Sequence, residues 1–292
     1  MATPRVSVIG LGAMGLPMAT HLAAEFPVTA FDVAEGQRAR AAEQGATAAA
    51  SPAEAVADAD VVLLALRDQQ QVDEALFGAQ GAASALRSDA VVMLTSTIGP
   101  AAARATAARL TGHRFVDAPV SGGPARAGTG DLLIVVGADD EALAVARPVL
   151  ERLASTVTVI GSNPGDGQAL KAINQLLAGV HIAAAAEAVA LARGIGLEPG
   201  VVIEALSQGA ASSFMLADRG PRMLEAYGDG AEVRSRLDIF VKDMGIVGEL
   251  AHNAHVPTPL AAAAHQLYLL GEQAGLSAAD DSSVVTVLSP KD

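Results

Sequence analysis

The stretch VSVIGLGAMGLPMATHL, residues 6–22, decides the fold. The short, mainly apolar run Val6–Ile9 reads as a strand, and Leu16–Glu25 reads as a helix. Between them Gly10-Leu11-Gly12-Ala13-Met14-Gly15 spells GxGxxG in the context that gives this motif meaning. One glycine serves a tight turn, one a close backbone approach to a diphosphate, and one close helix–strand packing. The helix start then offers unpaired N–H groups to phosphate oxygens.

Outward from this loop the pattern repeats. Strands are predicted at Val28–Phe31, Val61–Leu66, Ala90–Thr95, Arg114–Val116 and Leu132–Val136, with helical segments such as Gln37–Gln44 between them. Such alternation predicts a mainly parallel sheet covered on both faces. The second strand ends in Asp32, which suits a ribose 2′-hydroxyl and repels a 2′-phosphate. No Arg follows until Arg38. NAD is expected rather than NADP.

From about Asn163 the alternation stops. Gly165-Asp166-Gly167 breaks the chain, and Gln168 to Arg193 reads as one long buried helix ended by Gly194, Gly196, Pro199 and Gly200. Helices follow at Val201–Gln208, Phe214–Met223, Leu237–Asn253 and Pro259–Gly271. The expected organisation is an α/β Rossmann-type dinucleotide domain over 1–163 and an all-α domain over 164–292.

Composition narrows the functions. The 292 residues carry a formal net charge of −13 and no basic run, which argues against nucleic acid. His181 and Glu187 interrupt the long apolar helix, so no membrane span is expected. The strand pattern starts directly after Pro4, so no signal peptide is expected either, and a cytoplasmic protein follows. Without cysteine there is no disulfide or thiolate metal site. His252, His255 and Asp243 make a poor metal set, since histidines three apart on an Ala-rich helix are more often solvated or capping; no metal is expected. Of 19 basic residues only Lys171, Lys242 and Lys291 are lysines. Lysine can release its proton where arginine cannot, so the two internal lysines draw attention; Lys291, in the tail, does not.

Three segments carry candidate chemistry. In DAPVSGGP, residues 117–124, Ser121 with Gly122 and Gly123 exposes a hydroxyl and several N–H donors, a cradle for a carboxylate. A solvated turn fits these residues equally well. In GQALKAINQ, residues 167–175, Lys171, Asn174 and Gln175 share a helix face. Partial desolvation there would lower the ammonium pKa and suit a general acid/base, while a snorkelling lysine is the ordinary alternative. In LDIFVKD, residues 237–243, Lys242 could reach cofactor or substrate with Asp238 orienting it. A surface pair at i,i+4 explains those two residues more simply.

Together these segments resemble the β-hydroxyacid dehydrogenase family. The resemblance spans essentially the whole chain, through GLGAMGLPMATHL at 10–22, TSTIGP at 95–100, DAPVSGGPARAGTGDL at 117–132, GDGQALKAINQ at 165–175 and DIFVKD at 238–243. LLAGVHIAAAAEAVALA at 176–192 and DDSSVV at 280–285 are most similar to the branch acting on four-carbon sugar acids such as L-threonate. The resemblance implies a 6-phosphogluconate dehydrogenase-like fold and a small carboxylate substrate. It also implies a homodimer or homotetramer, which the many apolar positions of the helical domain would assemble. By the same resemblance Ser121, Gly122 and Gly123 would hold the substrate carboxylate, Lys171 would be the acid/base, and Asn174 would orient the substrate hydroxyl. Lys242 would lie near the nicotinamide, and Ser96, Thr97 and Leu64, Ala65 and Leu66 would line the cofactor ribose. His21, Arg67 and Gln175 depart from the family pattern without removing a catalytic group. An imine reductase shares the architecture but usually lacks the lysine. A dinucleotide-binding scaffold would be expected to have lost it.

Overall fold

The computed structural model describes residues 3–290, so Lys291 lies outside the described residues. The chain forms two compact units that divide after Lys171, inside the long helix.

In the first unit, β1 (Val6–Ile9), β2 (Val28–Phe31), β3 (Thr47–Ala48), β4 (Val61–Leu64), β5 (Val91–Leu94), β6 (Arg114–Asp117), β7 (Val120–Ser121), β8 (Leu132–Gly137) and β9 (Ala154–Gly161) share one sheet. Its order is β3-β2-β1-β4-β5-β6-β8-β7, with β9 beside β8. The strands β1 to β6 pair in parallel, whereas β8 runs antiparallel to β6 and β7. Alternate residues go to opposite faces. Val61, Leu63, Val91 and Met93 join one core, and Val62, Leu64, Val92 and Leu94 join the other. A parallel sheet buried on both faces must read as continuous apolar runs, as these strands do. The chain leaves β1 toward β2 and β3, then returns on the other side to β4. This reversal opens a crevice at the carboxyl ends of β1 and β4, where ligands bind in open α/β sheets.

The strand expected over Val61–Leu66 stops at Leu64, because the Leu66 N–H donates to the Ser96 hydroxyl at 2.7 Å instead of to a strand carbonyl. Three strands were not expected. Two of them, β3 and β7, are two residues long, and β9 follows the helix Asp140–Leu153 with no turn between.

The second unit is helical. It holds most of the helix Asp166–Gly194, then Pro199–Ser207, Phe214–Glu225, Leu237–Asn253 and Pro259–Gln273. Its core centres on Ile182, Ala186, Phe240 and Tyr268. The Tyr268 ring stacks on Phe240 at 5.3 Å, and its hydroxyl donates to the Gly179 carbonyl at 2.8 Å. A last segment, residues 281–288, is held by buried charge: Arg222 meets Asp280 at 2.6 Å and Arg219 meets Asp281 at 2.9 Å.

The long helix corrects one expectation. By length and composition it could cross a membrane, and half of its most apolar window is buried in the protein. It is not a wholly buried helix, since Ile173, Leu177 and Leu191 are each more than half exposed.

Candidate active site

The glycine loop separates into two kinds of glycine. Gly10 has φ +93°, and a Cβ there would stand 2.5 Å from the Ala65 carbonyl oxygen; a Cβ on Gly15 would collide with the Gly10 carbonyl. Those two are required by packing at the crevice between β1 and β4. A Cβ on Gly12 would meet nothing within 4 Å. Gly12 is required only if something else comes close. Gly12 and Ala13 are exposed, Met14 is half-buried, and the helix Gly15–Ala23 has no side-chain cap. In its first turn Leu16 N–H donates to the Gly12 carbonyl at 3.1 Å and Pro17 has no N–H, so a diphosphate here would lie against the backbone of the exposed Gly12–Ala13 tip.

Leu11 behaves differently from its neighbours. Its side chain is wholly buried in the core, and its N–H donates to Asp32 Oδ2 at 2.7 Å. Asp32 Oδ1 accepts from Ala34 N–H at 2.8 Å. Each carboxylate oxygen retains acceptor capacity, which suits a ribose diol. The Arg38 guanidinium, distant in the sequence reading, donates to the Asp32 carbonyl at 2.6 Å. These residues fit NAD.

At the ends of β4 and β5 the hydroxyls are turned inward. Thr95 Oγ1 donates to the Leu64 carbonyl at 2.7 Å, and Ser96 Oγ accepts from Leu66 N–H while donating to the Leu64 carbonyl at 3.2 Å. Leu64 is fully buried, so only its backbone is available to line a site; Ala65, Leu66 and Thr97 are half-buried.

Two residues that sequence reasoning did not single out fix the start of the long helix. Asp117, wholly buried at the end of β6, accepts from Gly165 N–H and Gln168 N–H on Oδ2, each at 2.9 Å, and from Gln168 Nε2 on Oδ1 at 3.0 Å. Gln168 Oε1 in turn accepts from Ile98 and Gly99 N–H at 3.0 and 3.1 Å, and its Nε2 also donates to the Ser96 carbonyl at 2.9 Å. A single amide thus ties three segments together. Burial pushes the Asp117 carboxyl up to about 6, against the opposing pull of the Gln168 and Gly165 hydrogen bonds. The visible signal was only Asp117 opening one motif and Gln168 opening another; nothing in either motif says that they meet.

With that turn fixed, Lys171 is 7% exposed and its Nζ donates to Ser121 Oγ at 2.9 Å. Ser121 is half-buried at the end of β7. Gly122 and Gly123 follow at φ +140° and +75°, which side chains rarely adopt, and a Cβ on Gly123 would meet nothing within 4 Å. Two of the three candidate segments are therefore brought together. A buried ammonium, a hydroxyl and an open glycine turn thus share one corner, an arrangement chemically able to bind an anion and exchange a proton.

In the second unit, Asn174 is half-buried and Gln175 is buried on the same helix. Asn174 Nδ2 donates to Gln175 Oε1 at 2.9 Å, and Gln175 Nε2 donates to Asp243 Oδ2 at 2.6 Å. Lys242 Nζ meets Asp243 Oδ1 at 2.8 Å. Asp238, expected to orient Lys242, also accepts from the Arg236 guanidinium at 3.2 Å, and Asp243 is a second carboxylate beside that lysine. Among the described residues no three His, Cys, Asp or Glu side chains are grouped to hold a metal; His252 and His255 are exposed at a helix end.

Comparison with known proteins agrees with this geometry. Residues 5–161 match the model of the NAD binding domain of 6-phosphogluconate dehydrogenase. Residues 165–288 match that of the NAD-binding domain of NADP-dependent 3-hydroxyisobutyrate dehydrogenase. L-threonate dehydrogenase of Cupriavidus necator is 42% identical over 97% of this chain and 95% of its own. The chain belongs to the β-hydroxyacid dehydrogenase family. A 3-hydroxyisobutyrate dehydrogenase from Salmonella typhimurium superposes with a TM-score of 0.89 at 36% identity, covering 97% of this chain and 99% of that one. A 3-hydroxyisobutyrate dehydrogenase of Mycobacterium tuberculosis, solved with L-serine, gives 0.86 at 28% identity, covering 99% and 100%. This dehydrogenase is thus an NAD-dependent oxidoreductase acting on a CH–OH group.

Proposed function

We propose that the dehydrogenase interconverts a small hydroxy acid and its oxo acid or semialdehyde, with a four-carbon sugar acid such as L-threonate as the preferred substrate. The observation that carries the reading is the buried Lys171 ammonium, 2.9 Å from Ser121 Oγ and beside an open glycine turn. Ser121, Gly122 and Gly123 hold the substrate carboxylate. Lys171, as the neutral amine, takes the hydroxyl proton in oxidation and, as the ammonium, returns it in reduction. Asn174, one turn further along the helix, orients the substrate hydroxyl. NAD, when bound, exchanges the hydride. Gly10 to Gly15 and Asp32 bind it, Ser96, Thr97 and the backbone of Leu64 to Leu66 line its ribose side, and Lys242 lies near its nicotinamide.

Residues 1–163 act as the dinucleotide domain and 164–292 as the substrate and assembly domain. Exposed Leu191, Phe214 and Leu260 of the helical unit, each above 60% exposed, support a homodimer or homotetramer formed through it. Cysteine-free composition and the absence of basic runs support a cytoplasmic enzyme that binds neither nucleic acid nor membrane. The relatives at 37–42% identity named L-threonate dehydrogenases favour the four-carbon acid.

The test is NADH formation with a panel of L-threonate, 3-hydroxyisobutyrate, tartronate semialdehyde precursors and glycerate, alongside reduction of a cyclic imine. Fastest turnover of L-threonate supports the reading. Imine reduction without any hydroxy-acid oxidation would overturn it.

A further inference from the structure

We infer that Asp243 is a positioning residue that sets the hydrogen-bonding sense of Asn174, and through it a preference for acids carrying a second hydroxyl. The inference rests on the proposed placement of Asn174 beside the substrate and changes one detail of it: the hydroxyl that Asn174 orients is not the reacting one.

The argument follows from what each group can donate. A carboxylate only accepts. Gln175 must therefore present its Nε2 to Asp243 Oδ2, as it does at 2.6 Å, which turns its Oε1 the other way. That oxygen can only accept, so Asn174 must present Nδ2 to it, as it does at 2.9 Å. The free arm of the Asn174 amide is then its carbonyl Oδ1. Every link is determined by Asp243, whichever way an isolated amide would prefer to turn. Lys242 Nζ, 2.8 Å from the remaining carboxylate oxygen, supplies the countercharge that a side chain only 3% exposed requires. A chain of this kind, joined by two hydrogen bonds and closed by an ion pair, specifies one arrangement.

A carbonyl oxygen can only accept a hydrogen. The reacting hydroxyl gives its proton to Lys171, so the hydrogen that Oδ1 accepts comes from a different hydroxyl of the substrate. A trihydroxy acid such as L-threonate has one to offer, and 3-hydroxyisobutyrate has none.

Asp243→Asn should reverse the chain. Lys242 can only donate, so the introduced amide would give its oxygen to Lys242 and its NH2 to Gln175. Gln175 would turn over, and Asn174 would follow, presenting Nδ2 on its free arm. The readout is the ratio of kcat/KM for L-threonate to kcat/KM for 3-hydroxyisobutyrate. This ratio is taken within one preparation, so lost folded protein or weakened NAD binding cancels. We expect it to fall at least ~10-fold in Asp243→Asn and in Asn174→Ala, with no further fall beyond about two-fold in the double variant. Gln175→Leu cuts the middle link and should lower the ratio likewise, which keeps the test open should Asp243→Asn fail to fold. An unchanged ratio in the folded variants, or losses that multiply in the double variant, would overturn the relay alone. Oxidation of neither acid by the wild-type chain would remove the parent reading and the relay's role with it.

Discussion

The Lys171 ammonium donates to the Ser121 hydroxyl at 2.9 Å, joining residues fifty positions apart in the chain. Lysine is nearly always solvated, and here it is 7% exposed with a side-chain hydroxyl facing it. Removing that hydroxyl takes an acceptor from the ammonium and a donor from the substrate carboxylate. Ser121→Ala should therefore raise KM for the hydroxy acid and lower kcat, a combined loss of about 1.5–3 kcal/mol, as for hydrogen bonds to charged groups. The Kd for NAD should stay within about two-fold. Steady-state kinetics and a cofactor titration check both, and a loss confined to NAD binding would contradict the assignment.

The two kinds of loop glycine separate folding from binding. Gly12→Ala adds a methyl group to open space, so the melting temperature should hold while the Kd for NAD rises by ~10-fold or more, because the methyl takes room the diphosphate needs. Gly15→Ala drives a methyl group into the Gly10 carbonyl and should destabilise the protein by about 2–3 kcal/mol or more. Thermal melts and NAD titrations of the pair would show opposite patterns.

Cofactor choice turns on Asp32 against Arg38. The carboxylate sits where a 2′-phosphate would be repelled, yet the Arg38 guanidinium already donates to the Asp32 carbonyl. Asp32→Ala should lower the ratio of kcat/KM for NAD over NADP by at least ~10-fold, since it removes the repulsion and leaves the cation in place. A ratio unmoved by the substitution would place cofactor selection elsewhere.

Asp117 gives a pH signature. Its carboxyl is pushed from 3.8 up to about 6, chiefly by burial. The folded state therefore binds more protons than the unfolded one between those values, and stability falls as pH rises through the window. The full effect is about 3 kcal/mol in magnitude. Asp117→Asn cannot titrate, so the stability difference between wild type and variant should change by that order from about pH 4 to about pH 7. Denaturant unfolding across this range measures it; a difference independent of pH would contradict the buried, proton-hungry Asp117.

Much of this molecule can be read from its residues, for identifiable reasons. The strands β4, β5 and β8 are apolar runs because a sheet covered on both faces demands them, and Gly10 and Gly15 are fixed by the close backbone packing of the loop. The helix Leu237–Asn253 is bounded in the structure as its pattern predicts. What stayed illegible depends on distant partners. Asp280 and Asp281 look like a solvated loop, but they are buried because Arg222 and Arg219 meet them. Gln168 reads as an ordinary helix residue, although its amide bonds to Asp117 and to the backbone of Ser96, Ile98 and Gly99. The buried Asp243 beside Lys242 was equally hidden, because an acidic residue next to a lysine in sequence reads as a solvated pair until its burial is seen.

Turnover by Lys171→Ala tests the central claim most directly, measured as NADH formation from L-threonate with NAD affinity determined in parallel. An acid/base lysine predicts a fall in kcat of ~10²–10⁴-fold with the Kd for NAD unchanged. A variant that oxidised the acid within a few-fold of the wild-type rate would show that the proton leaves by another route.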